Sequence, residues 1–201
     1  MNIVEAYIKI KGQLVILISG LSGSGKTFIG KNLSTDFKIN FFDESDYCVQ
    51  DYDKKIKIGD QEVIDWDNDE IYDWNKINDV IENNSKEGLV FCGTAFPKEK
   101  IKHKIDFHIN IKLNKNNLFM IREKFIKEKD CAVIHEDLVI RSKIFKDFTY
   151  KYNDELIKRS IIDKQINGNN YVDDLDNYNE KIYDEVFKYL ISKIEKILYN
   201  Q

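Results

Sequence analysis

The amino-acid sequence predicts a layered α/β fold built on a mostly parallel sheet of about five strands. Residues 13–19 form a continuous apolar run rich in β-branched side chains, a pattern typical of a strand that is covered on both faces. A glycine-rich turn follows at residues 20–25, and apolar residues then recur at helical spacing over residues 26–36. Strand and helix patterns keep alternating along the chain, which favours a parallel sheet with helices packed on its faces.

The remaining elements follow from the same two periodicities. Alternating or apolar runs predict strands at residues 1–11, 38–42, 88–93, 105–113 and 171–174, the first of them extending an edge of the sheet. Helical spacing predicts helices at residues 69–83, 117–129, 136 to about 165 and 179–199. Asn68 or Asp67 is the expected cap of the first of these helices, and a polar segment precedes it up to residue 62.

Length and composition exclude several classes of protein. A chain of 201 residues is long enough for a core of its own, and we expect a single domain over residues 1–201. The formal charge of -4 argues against duplex DNA or RNA as a partner, because such binding depends on an excess of Lys and Arg. The longest apolar stretch, residues 14–19, is far shorter than the ~20 residues that cross a bilayer, so no membrane partner is expected. Cysteines without a CxxC pair fit neither a disulfide framework nor a thiolate zinc site, and we predict a cytoplasmic protein.

The most specific feature of the sequence is the motif GLSGSGKT at residues 20–27, which lies between a predicted strand and a predicted helix. It matches the phosphate-loop pattern, in which glycines let backbone N–H groups approach a polyphosphate at a helix N-terminus. Lys26 is expected to bridge the terminal phosphates of ATP, and Thr27 to place its hydroxyl on Mg²⁺. The sequence therefore predicts a three-layer P-loop NTPase fold. The predicted nucleotide-binding residues are Gly20, Ser22, Gly23, Ser24, Gly25, Lys26, Thr27 and Phe28.

The rest of the chain distinguishes among the proteins that carry such a loop. GTPases need an Asn-Lys-x-Asp element for guanine, and the two candidates, NKIN at residues 75–78 and NKNN at residues 114–117, both lack the Asp. Motor ATPases need an apolar strand that ends in an acid, whereas the third predicted strand ends in Cys92-Gly-Thr94. Both classes are disfavoured.

The sequence resembles the uridine kinase and nicotinamide riboside kinase group. The resemblance runs through the phosphate-loop motif, the segment SDYC at residues 45–48 and the segment DWDNDEIYD at residues 65–73. In order of elements it covers roughly residues 13–130. In that group an Asp followed by aromatic residues comes after the second strand, and a Trp-Asp or Phe-Asp pair precedes a later helix. Here Asp46 with Tyr47, and Trp66 with Asp67, occupy those places.

One departure from the group concerns the third strand. The group usually has a Glu at the end of this strand, which helps to bind Mg²⁺ or the substrate, and here Cys92 or Thr94 stands in its place. Magnesium would then depend on Thr27 and Asp46, with Asp43 as a further candidate, together with phosphates and water.

A carboxylate at the end of the second strand is well placed for catalysis. The acceptor hydroxyl must lose its proton as it attacks the γ-phosphorus, and an acid beside the phosphate loop can accept that proton. Asp46 is the first candidate and Asp43 the second; the alternative for both is an Asx turn that ends the strand.

The acceptor itself is expected to contact the segments that follow the second strand. The residues predicted to bind it are Asp43, Asp46, Tyr47, Trp66 and Asp67. The carboxylates would accept hydrogen bonds from sugar hydroxyls, and the indole would form a wall against a ring. The alternative is that Asp67 caps the following helix and Trp66 forms its hydrophobic staple.

All arginines of the chain fall between residues 122 and 159, within a predicted lid over residues 114–160. An arginine in a lid holds two phosphate oxygens and stabilises the charge of the transition state. Arg122 and then Arg141 are the candidates, with nearby lysines in support; the alternative is a solvated helix face with partners such as Asp137. The histidines show no metal-binding spacing, and His108 is expected at the surface or a sheet edge.

These observations predict a kinase that uses ATP and Mg²⁺ to phosphorylate a hydroxyl of a small metabolite, with a nucleoside as the favoured acceptor. Residues 43–87 contain no Arg and many carboxylates, which favours an uncharged acceptor over a nucleoside monophosphate. Two alternatives stay open: a nucleoside monophosphate kinase, and a nucleotide-binding regulatory module without turnover.

Overall fold

The computed structural model describes residues 2–58, 61–65, 68–128 and 149–199. Its strands are β1 (Val15–Ser19), β2 (Asn40–Asp43), β3 (Lys55–Ile58), β4 (Gln61–Ile64), β5 (Leu89–Gly93), β6 (Phe107–Lys112) and β7 (Lys164–Asn167). Its α-helices are α1 (Ile3–Lys11), α2 (Lys26–Phe37), α3 (Trp74–Asn84), α4 (Lys115–Glu128), α5 (Tyr150–Lys158) and α6 (Tyr178–Tyr199). Short 3-10 helices cover Glu44–Tyr47, Asp69–Ile71 and Gly168–Tyr171.

The main sheet has five strands in the order β2-β5-β1-β6-β7, and every neighbouring pair is parallel. Strand β1 lies at the centre, with Ile16 opposite Val90 of β5 and Phe107 of β6. The carboxyl ends of all five strands therefore meet at one edge, where ligands bind in open α/β sheets. This topology confirms the predicted α/β fold with a mostly parallel five-stranded sheet.

Helices cover both faces of the sheet and give three layers. On one face, Ile16 and Ile18 pack with residues such as Leu33 of α2 and Leu190 of α6. On the other, Val15 and Leu17 pack with Ile77 and Ile81 of α3. Because β1 is covered on both sides, all five of its residues are buried, which accounts for its continuous apolar sequence.

The N-terminal segment is a helix, so the strand predicted at residues 1–11 is wrong. The side chain of Asn2 accepts a hydrogen bond from the Glu5 amide, and the Glu5 carboxylate accepts one from the Asn2 amide, which together form a capping box. Gly12, at φ 79°, ends the helix. Val4 and Tyr7 lie on one helical face and pack into the core shared with α6. The capping box and the burial of one helical face therefore outweigh the alternation of apolar and polar residues that predicted a strand.

The last strand is β7, and not the strand predicted at residues 171–174. Strand β7 begins at Lys164, where the helix predicted from residue 136 to about residue 165 was expected to end. Residues 168–171, at the start of the predicted strand, form a 3-10 helix. Of the four strand residues only Ile166 is buried, because β7 is an edge strand with polar side chains. A strand with one buried side chain carries almost no periodic signal in its sequence.

Two further differences lie between β2 and α3. Strands β3 and β4 form a two-stranded antiparallel hairpin within a stretch in which no strand was predicted. The third helix begins at Trp74, with the Asp73 carboxylate accepting from the Lys76 amide, and is therefore shorter than predicted. Asn68, one of the two predicted caps, caps the preceding 3-10 helix by accepting from the Glu70 amide. Within the part of the chain described here, no helix combines the length and hydropathy needed to cross a membrane.

Candidate active site

The phosphate-loop motif lies where the sequence predicts it, between the end of β1 and the start of α2. Gly23 and Gly25 have φ angles of 94° and 87°, which side chains with a Cβ rarely adopt. A Cβ on Gly23 would lie 2.9 Å from Cγ of Arg122, and one on Gly25 would lie 2.5 Å from Oδ1 of Asn179. Both positions therefore require glycine for backbone conformation and for space. Gly25 caps α2 without a side-chain hydrogen bond, which suits a helix N-terminus that receives an anion.

Residues far apart in the chain support this loop. The Gly20 amide donates to the carbonyl of Gly93 at 3.1 Å, and the Tyr178 hydroxyl donates to the carbonyl of Ser24 at 3.3 Å. The Oγ atom of Ser24 and Oδ1 of Asn179 are buried without a hydrogen-bond partner. A glycine cradle, a helix N-terminus, Lys26 and the unpartnered Ser24 hydroxyl, which can donate, fit a bound polyphosphate such as that of ATP. Of the other predicted nucleotide ligands, Ser22 is exposed and Phe28 packs partly against the core.

The Thr27 hydroxyl and the Asp43 carboxylate form a pair of oxygen groups that suits a magnesium ion. The Thr27 hydroxyl donates to Oδ2 of Asp43 at 3.0 Å, and the amide and hydroxyl of Ser45 hold the other carboxylate oxygen at 3.1 and 2.8 Å. Hydroxyl and carboxylate oxygens are the ligands that Mg²⁺ prefers. The structure thus brings Asp43 to Thr27, whereas Asp46 is exposed on the 3-10 helix that follows β2. Across the described ranges there is no group of three or more acidic, His or Cys side chains placed to hold a metal, so phosphate and water oxygens would complete the magnesium site.

Sequence reasoning missed one acid in this region, Glu44. Its side chain is buried, with 5% exposure, and its Oε1 atom accepts a hydrogen bond from the Thr94 hydroxyl. Burial raises the pKa of the Glu44 carboxyl, while the charge of Lys26 and the bond from Thr94 oppose that rise. The sequence signal that could have found Glu44 is its spacing from Tyr47, because residues three apart lie on the same side of a 3-10 helix. Tyr47 packs on Phe91 with ring centroids 5.6 Å apart, so Glu44 lies on the side that faces the sheet.

Cys92 does not replace the acid expected at the end of the third strand. Its thiol is fully buried and donates to the carbonyl of Lys26, with Sγ and O 3.2 Å apart. Burial raises the pKa of the Cys92 thiol far above its ordinary value, so the sulfur is neutral and unsuited to metal binding. Thr94, the other residue at that strand end, is the one that meets Glu44.

Helix α5 contacts two separate segments, one at Thr94 and the other at Asp69. The Asn153 side chain donates to the carbonyl of Thr94 at 3.2 Å, and the Tyr152 hydroxyl donates to Oδ1 of Asp69 at 3.0 Å. Asp69 also lies 3.6 Å from Nζ of Lys100 and 3.7 Å from Nη2 of Arg159. The expected acceptor ligands Trp66 and Asp67 lie outside the described residues.

The predicted lid arginines have different outcomes. The aliphatic part of Arg122 lies beside Gly23, so the structure brings this arginine to the phosphate loop. Arg141 lies outside the described residues. Arg159 is engaged elsewhere, because its guanidinium pairs with Glu99 at the end of α5, with Nε and Oε1 2.6 Å apart.

His108 is buried in the sheet, and its predicted place at the surface or an edge is wrong. Its Nδ1 atom lies 2.7 Å from the carbonyl of Ile161, which only accepts, so this nitrogen carries the proton. Its Nε2 atom then accepts from the Ser19 hydroxyl at 2.8 Å, and Asn110 donates to the same hydroxyl at 3.0 Å. Burial lowers the pKa of His108 to about 4, so the ring is neutral. Because Ser19 ends β1, this network supports the strand from which the phosphate loop begins.

Fold and site together define an α/β protein with a phosphate-loop motif between β1 and α2. No family model matches the sequence, and no curated protein is significantly similar to it. An uncharacterized protein from Eubacterium ventriosum has a similar solved structure, with a TM-score of 0.50 and 16% identity over 90% of this chain and 99% of that chain.

Weaker structural similarities include small-molecule kinases. A shikimate kinase from Aquifex aeolicus gives a TM-score of 0.44 at 15% identity, over 90% of this chain and 98% of that one. A possible uridine kinase from Bacillus stearothermophilus gives 0.43 at 15% identity, over 82% and 97%. At such identities the likeness concerns the fold alone.

Proposed function

We propose that the protein is an ATP-dependent kinase that transfers the γ-phosphoryl group to a hydroxyl of a small metabolite. The observation that carries this proposal is the contact of Thr27 with Asp43 beside the glycine cradle and Lys26. It combines an anion-binding loop with a pair of hard oxygen ligands, as phosphoryl transfer from a magnesium-bound nucleotide requires.

In the proposed reaction, the acceptor oxygen forms a bond to the γ-phosphorus as the bond to the β–γ bridging oxygen breaks, which releases ADP. Magnesium, when bound, neutralises charge on the phosphates. Lys26 and Arg122 would contact the phosphates, and a carboxylate would accept the hydroxyl proton. Asp46 is the proposed base because it is exposed, whereas Asp43 is held by Thr27 and Ser45.

For the acceptor we propose an uncharged polyol, with nucleosides as the first class to test. The segment from residue 43 to residue 87 supplies carboxylates and no arginine, so it would repel a phosphorylated acceptor. A nucleoside monophosphate kinase is therefore the second candidate, distinguished by the acceptor alone.

The test is ATP consumption and product formation against a panel of nucleosides and nucleoside monophosphates. We expect turnover with a nucleoside, and loss of at least about a hundredfold in Lys26→Ala, because the ammonium group stabilises charge in the transition state. Lys86→Ala, an exposed lysine after α3, is the matched control and should keep full activity.

Absence of turnover with every acceptor would contradict the kinase proposal. If ADP and ATP then stabilise the protein equally, the result would support a nucleotide-binding regulatory module, which the missing third-strand acid permits.

A further inference from the structure

Two short segments near Asp46 are paired with each other. Residues 47–49 continue the chain directly after Asp46, and residues 71–73 lead into α3. Two backbone hydrogen bonds of 2.7 and 2.8 Å join the segments, from the amides of Val49 and Asp73 to the carbonyls of Ile71 and Tyr47. The backbone that carries Asp46 is therefore held by residues 71–73.

Asp69, just before residues 71–73, connects this pair of segments to helix α5. The Tyr152 hydroxyl donates to its Oδ1 atom at 3.0 Å. On the other side of the carboxylate, Nζ of Lys100 and Nη2 of Arg159 lie 3.6 and 3.7 Å from Oδ2. Asp69 is buried, and a buried carboxylate is costly unless it is paired and hydrogen-bonded. These contacts therefore give Asp69 a defined position.

Helix α5 is in turn bonded to the edge of the sheet where the phosphate loop lies. The Asn153 side chain donates to the carbonyl of Thr94 at 3.2 Å. Thr94 follows Gly93, the last residue of β5, whose carbonyl accepts from the Gly20 amide of the phosphate loop at 3.1 Å. Tyr152 and Asn153 are neighbours in α5, so one turn of this helix joins Asp69 to the edge that holds the loop.

We propose that the hydrogen bond from Tyr152 to Asp69 is a positioning contact for phosphoryl transfer: it fixes the backbone that carries Asp46 relative to the phosphate loop. This inference rests on the proposed kinase function, in which Asp46 accepts the proton of the acceptor hydroxyl. Tyr152 and Asp69 are positioning residues, since they act through the place of Asp46. A general base must lie within hydrogen-bond reach of the proton that it removes, so a small displacement of Asp46 slows transfer.

This role separates turnover from nucleotide binding. The contact acts on the segment after β2, whereas the nucleotide is expected at the glycine cradle and Lys26. Loss of the contact should therefore lower kcat and leave the affinity for nucleotide unchanged. A contact that only supported the fold would lower the stability without changing the kcat of the folded protein.

The deciding variant is Tyr152→Phe, which removes one hydroxyl and keeps the ring. With the acceptor identified in the panel, kcat should fall about fivefold or more at a temperature at which the variant is fully folded. The dissociation constant of magnesium–ATPγS, measured by calorimetry, should stay within about twofold of the wild-type value. An unchanged kcat, or an equal weakening of ATPγS binding, would overturn the proposal.

Tyr183→Phe is the matched control for this substitution. The Tyr183 hydroxyl also donates to a carboxylate, that of Asp36, and this contact joins α6 to the last turn of α2. The variant loses the same kind of bond away from the segments near Asp46, so kcat and ATPγS affinity should match wild type. A fall in kcat as large as in Tyr152→Phe would overturn the proposal.

A double variant tests whether Tyr152 acts through Asp46. In the Asp46→Asn background the proposed base is already absent, so adding Tyr152→Phe should lower the residual kcat by less than about twofold. A fall as large as that caused by Tyr152→Phe in the wild-type background would show that the hydroxyl acts by another route, and would overturn the proposal.

Amide hydrogen exchange measures the same link without turnover. The amides of Val49 and Asp73 donate across the paired segments, and they should exchange about fivefold faster in Tyr152→Phe because the segments open locally more often. In Tyr183→Phe these two amides should keep their wild-type rates. Unchanged exchange in Tyr152→Phe would overturn the proposal.

The two proposals fail in different ways. If the wild-type protein phosphorylates no acceptor, the kinase function fails, and exchange at Val49 and Asp73 still decides whether Tyr152 holds the segment that carries Asp46. If the wild-type protein is active and Tyr152→Phe keeps its kcat, the positioning role fails and the kinase function stands.

Discussion

At the scale of single residues, the site depends on contacts that join the ends of different strands. Thr27 follows β1 through the phosphate loop, Asp43 ends β2, and Glu44 meets Thr94 just beyond β5. Each of these side chains has a partner from another segment, so the effect of removing one group can be assigned to a specific contact.

Asp43→Asn tests the magnesium assignment. Replacing one carboxylate oxygen by an amide removes the anionic ligand and one hydrogen-bond acceptor, so binding of ADP with Mg²⁺ should weaken by about tenfold, while binding in the presence of EDTA should change much less. Calorimetry with and without the ion measures both values. Asp79→Asn, on the exposed side of α3, should behave as wild type; a loss that is independent of Mg²⁺ would contradict the assignment.

Gly25→Ala tests the cradle, with Gly12→Ala as its matched control. Both glycines have positive φ angles, 87° and 79°, so each alanine should cost about 1–2 kcal/mol of unfolding free energy. Only at Gly25 does the new Cβ meet another atom within 4 Å, Oδ1 of Asn179. We expect loss of ATPγS binding in Gly25→Ala and normal binding in Gly12→Ala; equal binding by the two variants would refute the steric argument.

His108 gives a pH dependence of stability. Its pKa is about 4 in the folded protein against 6.5 as the ordinary value, so the unfolded chain binds the proton more readily. The contribution is fully present above pH 6.5 and is lost as the pH falls toward 4, by about 3 kcal/mol in total. Urea unfolding across this range should show a shallower pH dependence in His108→Gln than in wild type. Parallel curves for the two proteins would show that His108 does not cause the loss.

At the scale of whole elements, some elements are defined by local sequence patterns and others only by tertiary contacts. The central strand β1, the phosphate loop and α2 were predictable because each carries a complete local pattern: continuous burial, a fixed motif, or helical spacing. Strand β7 was not, since Ile166 is its one buried residue and pairing with β6 defines it. Likewise, the choice between Asp43 and Asp46 beside Thr27 depends on where β2 ends, which the sequence gives only to within a few residues.

The N-terminal helix shows how a small cap can decide the type of an element. Asn2→Ala removes the acceptor of the Glu5 amide and should lower the unfolding free energy by about 1 kcal/mol. Chemical denaturation measures this value, and Asn83→Ala, within α3, should show no such loss because alanine favours helix interiors. A stability loss as large in Asn83→Ala would mean that the cap is not the cause.

At the scale of the whole molecule, the order β2-β5-β1-β6-β7 explains why residues distant in sequence form one site. Parallel strands bring Asp43, Gly93 and the phosphate loop to a single edge, whereas α5 and α6 reach that edge from later in the chain. The class of fold and the position of the phosphate-loop motif could therefore be predicted from the sequence. The buried position of Glu44 was hidden because its partner, Thr94, lies fifty positions further on.

Nucleotide binding should stabilise the folded protein, since the loop is bonded to the end of β5 and to α6. With ATPγS at about a hundred times its dissociation constant, the unfolding free energy should rise by about 2.7 kcal/mol. Thermal unfolding followed by calorimetry measures the shift, and Lys26→Ala should reduce it strongly. A full shift in Lys26→Ala would place the nucleotide elsewhere on the protein.

The bond from Tyr178 to Ser24 spans 154 positions of the chain, and it affects how the protein matures during translation. The glycine-rich loop leaves the ribosome early, whereas α6, whose Tyr178 donates this hydrogen bond, is synthesised much later. A nascent polypeptide therefore carries the complete loop sequence long before the contact from Tyr178 can form, and we expect the proposed binding of ATP only once α6 has emerged and docked.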